Sequence, residues 1–128
     1  MKTIHQAIAS IMRGMVAIGK TKNNAQQGFK YRGIDDAYNA LQPLLAENGV
    51  FTVPEVLERS REERTTKNGT VLAFTCLRMK YTFYSEDGSY VCCVVEGEGM
   101  DSGDKSSNKA MAVAHKYALL QTFMVPTD

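Results

Sequence analysis

A chain of 128 residues with 44% hydrophobic content can bury one core and is too short for two ordinary domains, so residues 1–128 are read as a single domain. Fifteen Lys and Arg against fourteen Asp and Glu exclude a polycation, so any binding of nucleic acid has to come from a local patch. No apolar run approaches the ~20 residues of a bilayer span, and "MKTIHQAIASIMRGMVAIGK" carries His5, Gln6 and Arg13 where a signal peptide is apolar; a soluble, intracellular protein with no membrane partner is expected.

In chain order, Ile4, Ile8, Ile11, Met15 and Ile18, with Ala7 and Met12, recur at helical spacing over residues 3–18, which predicts an amphipathic helix with one buried face. "GKTKNNAQQG" has no apolar period and reads as a flexible loop ending at "FKYRG". A second helix is predicted from Asp35 as cap, through Tyr38, Leu41 and Leu45, to Gly49, with a kink at Pro43.

From Val50 the period changes to two. "VFTVPEVLERSREERTT", the turn "KNGT" and "VLAFTCLRMKYTFY" predict a long hairpin, with Asn68 and Gly69 supplying positive backbone angles. "SEDGS" turns the chain into "YVCCVVEGE", a third antiparallel strand. In the middle strand Val71, Ala73, Leu77, Met79, Tyr81 and Phe83 share the core face; Phe74, Cys76, Arg78, Lys80 and Thr82 share the other. At ~3.3 Å per residue the hairpin is long enough for its tip to protrude or pair with another chain. The last helix, near Ser107 to Phe123, has an alanine flank (Ala110, Ala114, Ala118) and a second apolar flank, which predicts burial on more than one side and a homo-oligomer. The fold class expected is α+β, a three-stranded antiparallel meander packed against helices.

The junction "EGEGMDSGDKSSNKAMAVAHKYALL" places strand, glycine turn, Lys105, Ser106 and helix in the order of a P-loop, but Asp104 stands where that motif requires the glycine before the lysine. What remains is a helix start whose amides attract a phosphate. Glu96, Glu98 and Asp101 suggest a metal-dependent nuclease as an alternative, although acids before a helix are also favoured by its dipole. Three cysteines, without zinc spacing, read as reduced core thiols, and no metal or other cofactor is expected. His5 and His115 lack an acid or nucleophile partner and read as packing or surface residues.

Lys105, Lys109 and Lys116 fall at spacings of four and seven, within one stripe of a helix. If Arg78 and Lys80, or Lys30 and Arg32 with Phe29 and Tyr31 interleaved, open onto the same groove, the result is the composition of a single-strand binding site: cations on the phosphates and rings on the bases. The remaining alternative is a scaffold for protein partners.

Two segments, "FKYRGIDDAYNALQPLLAENGVFTVPEV" and "GEGMDSGDKSSNKAMAVAHKYALLQTFMVPTD", resemble the ERF family of phage and prophage "essential recombination function" proteins. The resemblance implies an ATP-independent annealing protein that is not an enzyme. It implies a core distantly similar to the Rad fifty-two type, assembled as a ring, with single-stranded DNA and the annealed duplex in a basic groove. Lys116 in "HKYALL" matches a groove-lining basic residue, Tyr31 a DNA-facing aromatic one, and Lys105 and Lys109 the pattern "DKxxNKA", with Lys30 and Arg32 nearby. Tyr117 stands where the related fold has a second basic residue. The resemblance further implies action in the bacterial cytoplasm beside a host single-strand-binding protein or phage exonuclease. It also implies a polar C-terminal part, which a chain ending at "MVPTD" either lacks by nature or has lost.

Overall fold

In the computed structural model, which describes the backbone of residues 1–26 and 34–125 and the side chains of 1–15, 35 and 37–125, the chain enters its first helix through a reciprocal cap. The Gln6 N–H donates to Thr3 Oγ1 at 3.3 Å and the Thr3 N–H donates to Gln6 Oε1 at 3.0 Å, so two donors at the helix start find partners. Helix α1 (Ile4–Gln26) buries Ile4, Ala7, Ile11 and Met15 completely, as the periodicity predicts. Met12 instead stays 37% exposed, because at about 100° per residue it lies well round the helix from the stripe centred on Ile11. The backbone is also helical from Gly19 to Gln26, where a loop is expected. Extending an existing helix through Lys, Ala and Gln costs far less than nucleating one.

Helix α2 (Ile34–Glu47) starts one residue before the expected cap. Asp35 therefore lies in its first turn, where the dipole favours a carboxylate. The helix continues through Pro43 and buries Ala37, Ala40 and Leu41. It ends in a Schellman arrangement: the Val50 N–H donates to the Leu45 carbonyl at 2.9 Å and the Gly49 N–H to the Ala46 carbonyl at 3.2 Å, with Gly49 at φ +68°. Asn48, the residue between, donates to the Leu44 carbonyl and accepts from Lys2 Nζ, which ties the N-terminal segment to this helix end.

Strands β1 (Phe51–Thr65), β2 (Val71–Tyr84) and β3 (Tyr90–Asp101) form an antiparallel meander in the order β1-β2-β3. Both connections use one turn design. Gly69 N–H donates to the Thr66 carbonyl and Thr66 N–H to Thr70; Gly88 N–H donates to Ser85 and Ser85 N–H to Ser89. In each, only the glycine has positive φ, +82° at Gly69 and +89° at Gly88. Asn68 therefore does not share the left-handed role expected of it. The loops are of the longer kind that ends on a left-handed glycine rather than two-residue turns. Asp87 orients the second turn by accepting from the Ser89 N–H and hydroxyl; Ser89 Oγ then accepts the Ile4 N–H at 2.7 Å, and Ser85 Oγ donates to the Lys2 carbonyl at 2.7 Å. The start of α1 is thus fastened to the β2–β3 turn.

Alternation in β2 holds as expected except at its first residue, Val71, which is 47% exposed beside the β1–β2 turn and is not part of the core. Ala73, Thr75, Leu77, Met79, Tyr81 and Phe83 are buried and meet helix α3 (Ser106–Thr122). Phe83 packs edge-on against Phe123, centroids 5.2 Å apart. The thiols depart from expectation: Cys76 and Cys93 are half-buried and Cys92 is exposed, because Cys76 and Cys92 point to the uncovered face.

Helix α3 lies on β3 and β2 while β1 stays exposed along nearly its whole length. Two glycines set this position. A Cβ on Gly97 would lie 2.2 Å from the Ala110 carbonyl oxygen, and one on Gly99 would lie 2.3 Å from that of Ser106. Ala110, Ala114 and Ala118, all fully buried, complete the contact from the helix side. At its far end α3 closes with the Val125 N–H on the Leu120 carbonyl at 3.0 Å and Met124 at φ +48°, a conformation that disfavours a side chain. In the single chain α3 is buried on its sheet side, with Met111 and Tyr117 outward.

Two substitutions test this account with opposite signs. Gly97→Ala should destabilise the fold by about 1–3 kcal/mol, because backbone rather than a mobile side chain has to yield. Met124→Gly should raise the urea midpoint, a gain of up to about 1 kcal/mol. Equilibrium unfolding of both variants provides the check.

Candidate nucleic-acid interface

Directly opposed residues of an antiparallel pair project to the same face, so the register assigns every strand residue to a side. On the face away from α3, Arg78 lies between Glu58 and Glu96, and Lys80 between Glu55 and Val94. Further along the same face come Cys76 beside Glu98, and Phe74 beside Glu62 and Met100, with the Arg64 guanidinium 4.9 Å over the Phe74 ring. At the other end Phe51, Tyr84 and Tyr90 form a ring cluster with centroids 5.2 and 5.6 Å apart; Phe51 is 59% and Tyr90 58% exposed. This face carries more acid than base.

The structure therefore does not bring Arg78 and Lys80 into one groove with the lysines of α3. The sheet separates them. Nor does it gather the carboxylates: Glu96 and Glu98 are on the uncovered face, whereas Asp101 pairs with Ala73 on the helix face. Among the described residues no group of three His, Cys, Asp or Glu side chains could hold a metal ion, which leaves the nuclease alternative without its ligand set.

On the α3 side the junction is organised by Asp101. Its carboxylate accepts from Lys109 Nζ at 2.7 Å, from the Gly103 N–H at 2.9 Å and from the Lys105 N–H at 3.2 Å. Lys109, then the two amides, hold its carboxyl at about 2. Asp101 thus occupies the amides of the turn that leads into α3, while α3 itself begins at Lys105 without a side-chain cap, so the acids shape the turn and do not cap the helix as expected. Lys109 also donates to the Met100 carbonyl at 3.1 Å, so it follows the β3 edge. One turn above Val113, Lys116 continues this flank, half-buried, with its ammonium 5.9 Å from the Tyr117 ring centroid. Tyr117 is 44% exposed and adjoins Val94, Val95 and Glu96 of β3. Lys105, Lys109, Lys116 and Tyr117 are therefore neighbours on one helix side. Lys30, Tyr31 and Arg32 lie outside the described residues.

The other side of α3 faces a trough, because the helix leaves the inner face of β1 uncovered. Its floor is Thr52, Pro54 and Val56 with Met79 and Tyr81, its wall Asn108, Met111 and His115, and Tyr38 closes one end, leaving a cleft of about 550 Å³. The His115 ring stacks on Tyr81 at 4.9 Å and 6° and its Nδ1 bonds to the Tyr38 hydroxyl at 2.5 Å. Burial lowers the His115 pKa and pushes the Tyr81 hydroxyl up to about 12. Tyr38 is raised by burial and then by the Asp35 charge.

Past the cleft the floor becomes basic through one irregularity. The register shifts between Val56 and Glu58, so Leu57 is an extra residue and every later side chain of β1 changes face. Arg59 then opposes Leu77 and Arg61 opposes Thr75, both on the α3 side. Without the bulge Glu58, Ser60 and Glu62 would occupy it. Both arginines are exposed, and among the described residues neither has an ion-pair or hydrogen-bond partner. Sequence reading places them in the first strand of the hairpin and gives them no binding role. Their alternation with Glu58, Ser60 and Glu62 in "ERSRE" was the available signal, but its face depends on a bulge no motif announces.

A neutral, half-buried His115 makes stability depend on pH. Its folded pKa lies below the unfolded value, so the unfolded chain takes up the proton first. The contribution is complete above about 6.5 and falls away as pH decreases through the folded pKa. The thermal midpoint should drop as pH falls below about 6.5, and His115→Phe should flatten that part of the profile; equal slopes would remove His115 as the source.

A family model described as the ERF superfamily matches residues 4–128 of the chain. No curated protein matches it. Among the described residues no helix is long and apolar enough to cross a membrane.

Proposed function

The chain belongs to the ERF superfamily, and on that footing we propose that it binds single-stranded DNA and anneals complementary strands without ATP, in phage homologous recombination. The match over residues 4–128 carries the reading. Annealing breaks no covalent bond, so the protein acts as a binding surface and not as an enzyme. It has to neutralise a backbone, hold bases apart from their stack, and release the duplex.

Two basic surfaces on the α3 side support this role: the flank of Lys105, Lys109, Lys116 and Tyr117, and the trough with Arg59 and Arg61. Lys30, Tyr31 and Arg32, by the family resemblance, join the same strand path, and Arg78 and Lys80 on the reverse face would serve it only from a neighbouring copy. A few cations per copy bind weakly, and repetition in an oligomeric ring, with a core of the Rad fifty-two type, makes successive contacts intramolecular. Among the described residues no strand lies beside the outer edges of β1 and β3, and the exposed rings of Phe51 and Tyr90 leave apolar surface for a second copy to cover. The β1–β2 hairpin tip would reach across such a contact. The setting is the bacterial cytoplasm, with a host single-strand-binding protein or phage exonuclease as partners.

Two labelled complementary oligonucleotides mixed with protein, without nucleotide or metal, should pair faster than alone; an unchanged rate would overturn the proposal. Light scattering should give a mass several times 14.2 kDa. Lys116→Ala should weaken binding to all sequences alike and reduce the slope of log affinity against log salt by about 0.7; an unaltered slope would take Lys116 off the strand path.

A further inference from the structure

The trough between α3 and β1 combines two chemistries that seldom adjoin by accident. One half is a flat-sided apolar cleft; the other is a stretch of β1 where Arg59 and Arg61 share the α3-side face, without an ion-pair or hydrogen-bond partner among the described residues and with Glu63 next along it. Arg59 and Arg61, two residues apart on one face, lie about 6.6 Å from each other along the strand. That is comparable with the separation of neighbouring phosphates in an extended single strand.

Inside the cleft the imidazole of His115 is already part of a column. Tyr81 covers one of its faces in a near-parallel stack, and the bond to Tyr38 fixes its rotation. A planar ring in the cleft extends the column, and the exposed amide of Asn108 on the wall offers one donor and one acceptor to a base edge. The volume, about 550 Å³, is that of a small-molecule site. An apolar side chain from another protein could fill the cleft but would leave the adjoining guanidinium pair without an anion. A nucleotide satisfies both halves at once.

We propose that this trough seats one unstacked nucleobase against His115, while Arg59 and Arg61 hold the phosphates beside it. The proposal rests on the single-strand reading above and adds a specific element to it. Bases along the bound strand are not all equivalent: the one in each copy's cleft is withheld from pairing until the strand shifts or leaves. Purines, with the larger stacking area, fill the cleft better than pyrimidines, without strict sequence choice.

The test uses the full chain and an oligonucleotide carrying 2-aminopurine. Fluorescence anisotropy reports binding, and the intensity of the 2-aminopurine reports stacking. Wild type should bind and quench. His115→Phe should keep the quench, and His115→Ala should lose most of it at saturating protein. An oligonucleotide with abasic sites should bind wild type about tenfold more weakly than its intact counterpart. Arg59→Ala should lower affinity for both oligonucleotides equally and reduce the salt slope by about 0.7. Should His115→Ala misfold, as circular dichroism would report, the abasic comparison decides alone. Binding with undiminished 2-aminopurine emission, or equal affinity for abasic DNA, overturns the base site while leaving single-strand binding intact. Loss of oligomer mass in Met111→Ala, with no change in emission on DNA addition, would reassign the cleft to contact between copies. Absence of any anisotropy change defeats the underlying reading, and the base site with it.

Discussion

The closeness of α3 to β3 governs the rest of the molecule. With Gly97 and Gly99 under the carbonyls of Ala110 and Ser106, helix backbone rests almost directly on strand backbone, and three alanines on the helix keep the same plane. A helix that centres on β3 and β2 cannot also cover β1. The exposed inner face of β1, the trough beside it and the lysine flank along the β3 edge all follow from that offset. The glycine-rich junction that resembles a phosphate loop in order is, in the fold, a packing surface followed by a carboxylate-capped turn.

A second constraint acts within β1. A strand alternates strictly, so a single inserted residue exchanges its two faces from that point on. Leu57 is that residue. Before it, the trough floor is apolar; after it, the floor carries Arg59 and Arg61, with Glu63 beyond them, while Glu58 and Glu62 turn to the opposite side. The chain is close to electroneutral, yet the bulge redistributes its charges: Arg59, Arg61 and Glu63 stand on the α3 side of the hairpin, and Glu58, Glu62 and Arg64 join Arg78 and Lys80 on the other. Net charge is therefore a poor guide to what this surface attracts.

The described polar contacts serve mainly to fasten elements at their ends. Thr3 and Gln6 cap α1, Ser85 and Ser89 hold it to a turn, and Asn48 bridges α2 to Lys2. Thr75 and Ser106 meet at 2.8 Å, the buried polar pair between sheet and helix, and each satisfies the other. His115 is the exception: a half-buried titratable ring with one hydroxyl partner and a stacked neighbour, placed on a cleft wall, where packing alone would have favoured an apolar residue.

Periodicity in the sequence determined the α+β class, the strand succession, the core face of β2, the stripe of α1 and the alanine flank of α3, because each depends on repeats of two or 3.6 residues that neighbours in the chain impose. The motif segments around "DKSSNKA" and "KYRGI" determined the family. Tertiary structure alone decided which cations share a surface. Arg78 and Lys80 share a strand with core residues yet face away from α3, and Arg59 and Arg61 reach the trough only through the Leu57 bulge. His115 acquires its partners from α2 and β2, distant in the chain. Local pattern specifies which way a side chain points relative to its neighbours, but what lies opposite it depends on register and on how closely two backbones approach. Here those were set by one inserted leucine and two glycines.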